Sequence, residues 1–444
     1  MASRPALLAR SPHDREIGRL AVPALGQLGA EPLYVMVDTA VVGHLGTAEL
    51  GGLAIAGAVL TTAFWLFNFL AYGTTATVAR LHGAGCHADA ARQAVQSLWL
   101  ASGIGVAVGA VLFVTAPWTI DLLGASGNVE PHALTYLRIS TLGVPAIMLT
   151  LAGMGYFRGL QDTATPLVVA IVSNVANLVI ELVLIYQLDW GVEGSAWATV
   201  IAQWGGALWY LRFVSGRVAE HGTSWAPHAA HLRALARAGR DLMTRTGALL
   251  LSLALATAMA SRIGDTALAA HQVAFQVWLF LALVMDAVAI AGQSMVGRFL
   301  GAGDAATARA ASVRMLQIGV GVGLVAALAV LLAHPVLADL FTDDPAVVHL
   351  LGGLLVIVAL FQPLNAAVFV LDGVLIGAGD LRYLAGAMVA SALLYTPLAL
   401  AVVTFGLGVG ALWLTLGVLM GARLVANLTR FASEDWMITG AVRR

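Results

Sequence analysis

The chain has 444 residues, of which 60% are hydrophobic and 11% are charged, and this composition excludes an ordinary soluble globular protein. Its formal net charge is -1 and it has a single cysteine, Cys86, so we expect neither a nucleic-acid-binding surface nor a disulfide framework. We predict an integral membrane protein that binds no nucleic acid and has no catalytic residues, no metal site and no cofactor.

Twelve apolar segments along the chain are each near the roughly 20 residues that a helix needs to cross a bilayer. They cover residues 17–42, 51–78, 94–116, 133–156, 165–187, 194–213, 246–262, 270–296, 313–333, 348–372, 383–404 and 409–428. The charged stretch before them has no apolar core, so we do not expect a cleavable signal peptide. With this end in the cytosol, every arginine except Arg138 and Arg262 falls on the cytosolic side, as the positive-inside rule predicts.

The second half of the chain repeats the first at an offset of 218 residues, which is the separation between Arg80 and Arg298. The same offset pairs Pro117 with Pro335, Pro145 with Pro363, Gly159 with Gly377 and Asp162 with Asp380, and a two-residue shift pairs Trp197 with Trp413. We therefore predict an all-α polytopic fold of twelve transmembrane helices in two homologous six-helix lobes, residues 1–213 and 246–444. Because six is even, a pseudo-twofold axis along the membrane normal would relate them.

The longest polar stretch, residues 214–245, would join the two lobes as a cytosolic linker. Within it, Arg233, Arg237 and Arg240 recur at helical spacing, and the leucines lie largely on other faces. This pattern is typical of a short amphipathic helix at the membrane surface. A solvated linker helix is an equally good interpretation.

Two of the predicted helices carry carboxyl groups within the bilayer. The polar faces that contain them are Glu31, Tyr34 and Asp38 on the first helix, and Asn174, Asn177 and Glu181 on the fifth. At ~1.5 Å of rise per residue, Asp38, Glu181 and Thr199 all lie roughly 8 to 9 Å below the outer boundary. Tyr136, near the outer end of the fourth helix, could add a phenol to this level.

A carboxyl group in the bilayer costs about 2.5 to 3.5 kcal/mol and usually faces the bundle interior, in a proton or ion pathway. Two acids that share a low-dielectric site cannot both be ionised cheaply, so we expect Asp38 and Glu181 to bind a proton near neutral pH. The alternative is that each acid hydrogen-bonds a neighbouring helix and only holds the bundle together. The repeat argues against that alternative, because the second lobe has Ala256, Ala399 and Tyr395 where the first has Asp38, Glu181 and Asn177.

The second lobe has intramembrane acids of its own, Asp286 and Asp372. Asp286 lies in the middle of the predicted eighth helix, which favours a functional role. Asp372 lies at the inner end of the tenth, beside the sequence GVLIGAGD, where capping of the following loop is an equally good interpretation. The residues predicted to line a substrate cavity are Glu31, Tyr34, Tyr136, Asn174, Asp286 and Asp372.

Three stretches of the chain resemble the multidrug and toxic compound extrusion (MATE) transporters. PALGQLGAEPLYVMVDTAVVGHLGTAELGGLAIA, residues 23–56, is similar to their first-helix region, with an aspartate in a Val-Asp-Thr context. GRFLGAGDAATAR and LDGVLIGAGD, at residues 297–309 and 371–380, look like second-half motifs of the DinF-like branch. The resemblance covers essentially the whole chain.

The resemblance implies twelve helices in two lobes around a central cavity, and export of organic compounds in exchange for protons or sodium. It would make Asp38, Asn177, Glu181 and Thr199 the cation site of the first lobe, with Tyr136 and Asn174 beside it. The chain departs from the pattern of DinF-like relatives at Glu31, where they often have glutamine, and at Glu181, where they usually have aspartate. The sodium-coupled NorM-like branch has acids on the seventh and tenth helices, whereas this chain has none in the core of the seventh and has Asn365 on the tenth. The last departure weakens an ion site in the second lobe and favours proton coupling through the first.

Our hypothesis is a monomeric antiporter of the inner, or cytoplasmic, membrane, with both termini in the cytosol, that exports a small cationic or amphipathic organic substrate by alternating access. Pro23 and Pro32 would let the first helix bend during the cycle. The only expected contacts besides substrate and transported proton or sodium are with membrane lipid.

Two rival functions remain at this stage. A lipid-linked precursor flippase would need a more cationic lumen, and the sequence shows no cluster of intramembrane arginines. A membrane enzyme such as a prenyltransferase would need aspartate clusters that hold Mg²⁺, and the only adjacent pair, Asp343 and Asp344, falls in a predicted outer loop.

Overall fold

The computed structural model describes residues 11–443, which form helices joined by short loops and contain no strand. Arg4, Arg10 and Arg444, three of the arginines assigned to the cytosolic side, lie outside these residues. The helices are α1 (Asp14–Gly43), α2 (Thr47–Phe67), α3 (Phe69–Gly83), α4 (His87–Leu122), α5 (Val129–Thr141), α6 (Val144–Gly159), α7 (Ala164–Tyr186), α8 (Gly191–Glu220), α9 (Ala229–Ile263), α10 (Asp265–Gly301), α11 (Ala305–Phe341), α12 (Pro345–Gly377), α13 (Leu381–Thr404) and α14 (Gly408–Ala432).

The twelve predicted segments correspond to fourteen helices because two of the segments are interrupted. Asn68 separates α2 from α3, and a bend of 48° separates α5 from α6. Pro145 stands in the first turn of α6, where its missing N–H costs nothing but a straight continuation from α5 would clash with its ring. By length and composition the described residues hold ten candidate spans, or eleven if α5 and α6 count as one. The remaining helix, α8, has 30 residues, which is long enough to cross a bilayer.

Burial on the helices is inverted relative to a soluble protein. On α7, Val168, Val175 and Val179 are exposed, whereas Asn177 and Glu181 are buried. An apolar exterior around a polar interior is the pattern expected of helices in lipid, because lipid does not penalise exposed apolar surface but does penalise an unsatisfied polar group.

The described residues pack into two compact units. One is Gly26–Gly239, and the other contains the described residues up to Leu25 and those from Arg240 onward. The first turns of α1 belong with the second unit because ion pairs join them to it: Arg314 Nε lies 2.6 Å from Asp14 Oδ1, and Arg298 Nη2 lies 2.9 Å from Glu16 Oε1. These units differ from the predicted boundaries at residues 213 and 246.

The predicted linker 214–245 contains the end of α8, a short non-helical loop over residues 221–228, and the first part of α9. The arginine-rich sequence is therefore the start of a long helix and not a separate short one. No proline interrupts residues 229–263, so the helix continues. Leu235 and Leu242 on this part are buried, and Arg233 and Arg237 are exposed.

The sequence repeat is visible in the helix contacts. In the first unit, a Cβ added at Gly155 would overlap the backbone of Ala71, so α6 and α3 can approach this closely only at a glycine. In the second unit the same is true of Gly373 and Ala289, which bring α12 against α10. Both residues of the second pair stand 218 positions after those of the first, so the two halves use the same helix contact.

Candidate functional site

Helix α1 buries one side chain between residues 31 and 40, and that side chain is the carboxylate of Asp38, which is 5% exposed. Its neighbours Val35, Met36 and Val37 are exposed. The helix therefore turns an acid inward and its apolar side chains outward. In water this arrangement would be unfavourable, and in lipid it keeps the carboxylate away from the acyl chains.

Two residues from other helices contact or approach the Asp38 carboxylate. Ser195 Oγ on α8 donates a hydrogen bond of 3.0 Å to Asp38 Oδ1. Glu181 on α7 is 1% exposed and is close enough to Asp38 for the two carboxyl groups to interact directly. Among the side chains of residues 11–443, no basic group appears in the surroundings of either acid.

Thr199 is the centre of a second set of hydrogen bonds, which together with Asp38, Glu181 and Ser195 forms one polar cluster. Its Oγ1 accepts a hydrogen bond of 3.1 Å from Asn177 Nδ2 on α7 and lies 3.1 Å from the Tyr34 hydroxyl on α1. The Tyr136 hydroxyl on α5 is buried and lies within interaction range of Asp38 and Thr199. Thr199 therefore joins three helices through hydroxyl and amide groups.

Several oxygens in the cluster have no hydrogen-bond donor among the described residues. They are Oε1 and Oε2 of Glu181 and Oδ1 of Asn177. Two ionised carboxylates have no proton with which to bond each other, whereas one added proton would allow Asp38 and Glu181 to form a short hydrogen bond. An oxygen-only group of this kind can bind a proton or a hard cation.

The structure brings together five of the residues predicted for this site, namely Tyr34, Asp38, Asn177, Glu181 and Thr199, with Tyr136 beside them. Asn174 lies one helical turn away, where its Nδ2 donates a 3.1 Å hydrogen bond to the Ala30 carbonyl. Glu31 is exposed on α1 and does not join the cluster. Ser195 was missed by sequence reasoning, although its position four residues before Thr199 on one face of α8 was a usable signal.

Asp372 on α12 has a different environment, inside the second unit. Its Oδ2 is bound by Arg245 of α9 and by Arg423 Nη2 of α14 at 2.5 Å, and its Oδ1 accepts a 2.8 Å hydrogen bond from Asn427. The carboxylate is 4% exposed. It therefore ties three helices together and does not cap the loop after α12. Asp286 is half-buried on α10.

This cluster corrects one expectation from the sequence. Two arginines, the partly buried Arg245 and the buried Arg423, lie beside one another on Asp372 in the second unit, although no intramembrane arginine cluster was expected. Arg245 was assigned to the linker, but α9 begins at Ala229 and carries it inside the unit. Arg423 was assigned to the cytosolic end, but it lies nine residues before the end of α14 at Ala432 and turns inward.

The positions in the second unit that correspond to Asp38, Asn177 and Glu181 are occupied by Ala256, Tyr395 and Ala399. All three are buried in one hydrophobic core cluster, with residues such as Val402 and Leu412. The second unit thus has two alanines where the first has its acids, and the buried phenol of Tyr395 where the first has Asn177.

Comparison with known proteins gives a family and a fold. The MatE family model matches residues 23–183 and 248–401. Protein DETOXIFICATION 44, chloroplastic, of Arabidopsis thaliana is 34% identical over 437 residues, which cover 94% of this chain and 82% of that protein. DNA damage-inducible protein F of Escherichia coli is 30% identical over 425 residues, which cover 92% and 90%. The resemblance inferred from the sequence motifs is therefore confirmed, and the DinF-like branch is compatible with these matches.

Solved structures share the same architecture. One described as the outward-facing conformation of a multidrug resistance MATE family transporter of the MOP superfamily superposes with a TM-score of 0.84, at 21% identity, over 97% of each chain. This likeness, together with the helices described above, confirms the predicted all-α two-lobe membrane fold.

Proposed function

The chain belongs to the MatE family, and we propose on that premise that it is a cation-coupled antiporter that exports small organic compounds across the cytoplasmic membrane. In this proposal the coupling cation is a proton, and Asp38 and Glu181 bind it. The substrate is cationic or amphipathic, both termini lie in the cytosol, and the chain works as a monomer without a cofactor.

One observation carries the proposal: two buried carboxyl groups lie side by side with no basic partner among the described residues. A carboxylate held by arginines stays ionised and serves the fold. Two acids without such a partner repel each other when both are ionised, so a proton or cation stabilises the pair. A site of this kind changes its occupancy as its exposure changes, which is what a coupling site must do.

The proposed cycle links occupancy to helix position. When the cavity opens outward, the acid pair takes up a proton, and the new hydrogen bond draws α1 and α7 together. The bonds from Ser195 to Asp38 and between Tyr34 and Thr199 connect this change to α8. Substrate leaves outward, and the return to the inward-open state releases the proton into the cytosol. Each charge moved inward supplies ~2.3 kcal/mol per 100 mV of membrane potential.

Sodium is the second candidate cation. The observation that favours it is the set of oxygens without hydrogen-bond donors, both from Glu181 and one from Asn177. Carboxylate, amide and hydroxyl oxygens are the ligands that hard cations prefer. Proton and sodium coupling differ in which gradient drives export, so one experiment separates them.

The two rival functions gain little from the structure. A flippase for lipid-linked anions would use arginines in its lumen, but Arg245 and Arg423 are both bound to Asp372, and the buried Arg158 donates a hydrogen bond to Gln27. A membrane enzyme that depends on Mg²⁺ would use a cluster of acids, and the described residues contain no group of three or more potential metal ligands. Membership of a transporter family favours transport over catalysis.

The test is transport of tetraphenylphosphonium and ethidium into everted membrane vesicles, driven by a proton gradient alone and then by a sodium gradient alone. We expect proton-driven uptake in the wild type and a loss of at least tenfold in Asp38→Asn and in Glu181→Gln. The matched controls are Asp189→Asn and Glu193→Gln, which make the same chemical changes at exposed residues near the site. They should transport like the wild type.

Uptake driven equally well in the two acid variants would overturn the assignment of the coupling site. Uptake driven by sodium alone would keep the site and replace the proton by sodium. Absence of gradient-driven uptake in the wild type, for a panel of such cations, would contradict the export function itself.

A further inference from the structure

Ser195, which sequence reasoning missed, donates a hydrogen bond to only one of the two acids of the coupling site. It is completely buried, and its Oγ donates a 3.0 Å hydrogen bond to Asp38 Oδ1. Neither carboxylate oxygen of Glu181 has a donor among the described residues. A serine hydroxyl has one proton to donate, so it can bond to only one of the two acids at a time. The two acids therefore share one site but have different hydrogen-bond partners.

This bond from α8 to α1 differs from the bonds of other buried serines in the chain. A serine inside a helix often bonds to the carbonyl four residues earlier in the same helix. Three buried serines of the second unit do so, namely Ser252, Ser312 and Ser391. The hydroxyl of Ser195 is bonded to the acid site and not to its own helix.

The repeat shows that the packing of this helix does not require a hydroxyl. With the two-residue shift of the last helix, Ser195 corresponds to Ala411, which packs against the apolar core of the second unit. The same half has Ala256 and Ala399 in place of the two acids. The serine thus occurs in the half that has the acids, and alanine replaces it in the half that lacks them. This pattern indicates that the hydroxyl serves the acids.

A single proton shared by the pair has two possible positions, and the hydrogen bonds favour one of them. A bond donated to a carboxylate stabilises its ionised form, so the bond from Ser195 favours an ionised Asp38. A buried carboxyl group without a donor is more stable when it is protonated. With the proton on Glu181, its O–H donates to Asp38, and Asp38 keeps the bond from Ser195. With the proton on Asp38, the bond from Ser195 would go to a neutral group, and the ionised Glu181 would have only one donor.

The other titratable groups that face the pair do not change this balance. They are the phenols of Tyr34 on α1 and Tyr136 on α5. A phenol is neutral near pH 7, so neither adds a charge to the site. The remaining side chains of the cluster, Thr199 on α8 and Asn177 on α7, bond to one another at 3.1 Å. The position of the proton therefore depends on the two acids and on Ser195.

We propose that the transported proton resides on Glu181, and that Ser195 is the positioning residue that keeps it there through its hydrogen bond to ionised Asp38. The inference rests on the proposed proton coupling and specifies it. Asp38 is then the fixed charge that accepts a hydrogen bond from protonated Glu181, and Glu181 is the group that gains and loses the proton. Because Ser195 is on α8 and Glu181 is on α7, the position of the proton links both helices to α1.

The test locates the proton by infrared difference spectroscopy of the purified full-length protein, without substrate, between mildly acidic and mildly alkaline buffer. A protonated carboxyl group gives a C=O stretching band that an ionised one lacks. Cell-free synthesis supplies one sample with heavy carbon in the side-chain carboxyl of glutamate and another with the same label in aspartate. Both samples carry Glu31→Gln, because Glu31 is the other glutamate in the membrane-spanning part of α1.

We expect the carboxyl band to shift to lower frequency in the glutamate-labelled sample and to keep its position in the aspartate-labelled one. Adding Glu181→Gln should abolish the band in the glutamate-labelled sample, which assigns it to Glu181. Any band that moves with the aspartate label and survives Asp38→Asn belongs to another aspartate and is subtracted.

Variants of Ser195 test its role in positioning the proton. Ser195→Ala should transfer part of the band to the aspartate label, because the two acids then no longer differ in their hydrogen-bond donors. Ser195→Thr keeps a hydroxyl and should keep the original spectrum. The matched control is Ser391→Ala, which removes another buried hydroxyl, one that bonds within its own helix, and it should also keep the original spectrum. A purely structural role of Ser195 would not move the band between the two labels.

The proposal is overturned if the band of the acid pair follows the aspartate label while Ser195 is intact, or if it is absent from both samples. The role of Ser195 is overturned if Ser195→Ala leaves the band entirely with the glutamate label, or if Ser195→Thr has the spectrum of the alanine variant. The spectra are recorded without substrate or gradient, so these outcomes are independent of export. Failure of the proposed function would appear as absence of proton-driven uptake in the vesicle experiment, with the label dependence of the band unchanged.

Discussion

The two halves of this chain share a helix arrangement and bury their acids in opposite ways. In the first unit, Asp38 and Glu181 lie together without a basic partner among the described residues. In the second unit, Asp372 is held by Arg245, Arg423 and Asn427. One repeat thus contains an acid pair without a counter-charge, and the other contains an acid that is paired with arginines.

The two halves have different residues at equivalent positions, and this difference explains how one helix arrangement holds both an unpaired acid pair and an ion-paired acid. The contact between α9 and α12 that joins Arg245 to Asp372 has its counterpart in the first unit, where Gln27 Nε2 contacts Met154 Sδ. Arg245 and Asp372 stand 218 positions after Gln27 and Met154, respectively. The helices meet in the same way in each half, and the side chains decide whether an ion pair forms there: in the first unit Gln27 Oε1 accepts a 2.9 Å hydrogen bond from Arg158 Nη2 instead.

The largest effect on stability should follow from Asp372→Asn. It would leave the guanidinium groups of the buried Arg423 and the partly buried Arg245 without a counter-charge. Breaking a buried ion pair in this way costs about 3–5 kcal/mol. Thermal unfolding in detergent should show the loss. The triple change Arg245→Met, Asp372→Leu and Arg423→Met should recover most of it, because well-packed apolar residues often replace a buried ion pair without cost. An Asp372→Asn variant as stable as the wild type would remove the distinction between the halves.

Asp38→Asn should act in the opposite direction on stability. Burying a neutral amide costs less than burying a carboxylate, so we expect the free energy of unfolding to stay unchanged or rise by up to about 2 kcal/mol. The same thermal measurement checks this, and the vesicle assay reports the loss of coupled export. If Asp38→Asn destabilised the protein as much as Asp372→Asn, the acid would be serving the fold.

Thr199→Val should lower stability by about 1 to 2 kcal/mol. It removes a hydroxyl that joins Asn177 and Tyr34, and each net hydrogen bond contributes about 0.5–1.5 kcal/mol. The matched control is Thr415→Val at the repeat position, where the hydroxyl only donates to the Leu412 carbonyl on its own helix. Equal losses in the two variants would show that the polar network of the first unit adds nothing.

The smallest effect concerns the N-terminal caps of two helices at equivalent positions of the repeat, α4 in the first unit and α11 in the second. Asp304 caps α11 by accepting a 2.9 Å hydrogen bond from the Thr307 backbone, whereas Cys86, at the repeat position, gives α4 no side-chain cap. Cys86→Asp should therefore raise the unfolding free energy by about 0.5 to 1 kcal/mol at neutral pH. Calorimetric or fluorescence melting of the two proteins side by side measures this difference, and an unchanged or lower melting temperature would contradict it.

The pH dependence of capping can be read from Asp304. Hydrogen bonds from the Thr307 side chain and backbone hold the pKa of Asp304 below its usual range. A lowered pKa in the folded state means that the cap stabilises the protein above the ordinary pKa of an aspartate and loses this contribution as the pH falls through the lowered value. The gain from Cys86→Asp should disappear over the same acidic range.

The sequence was a good guide wherever composition or the repeat fixed the answer. Apolar segments predicted the spanning helices, and the spacing of Asp38, Asn177, Glu181 and Thr199 predicted residues that the structure brings together. Helix interruptions were harder, because Pro145 bends the chain in α5–α6 whereas its repeat partner Pro363 lies inside the continuous helix α12. A proline shows where a helix can break, and only the surrounding packing decides whether it does.

Contacts between distant helices were the part that one sequence could not give. The pairing of Arg245 and Arg423 with Asp372 depends on how three helices rotate about their axes, and the repeat offers no polar pair there as a guide. The exposure of Glu31 depends in the same way on the rotation of α1.

The central claim is that Asp38 and Glu181 bind a proton and release it when substrate binds, so that the protein exchanges one for the other. The most direct measurement is proton release on binding of tetraphenylphosphonium by the purified protein in weakly buffered detergent solution, followed with a pH indicator. We expect the wild type to release about one proton for each substrate bound, and the double variant Asp38→Asn, Glu181→Gln to bind without measurable release. Equal proton release by the wild type and the double variant would contradict the account.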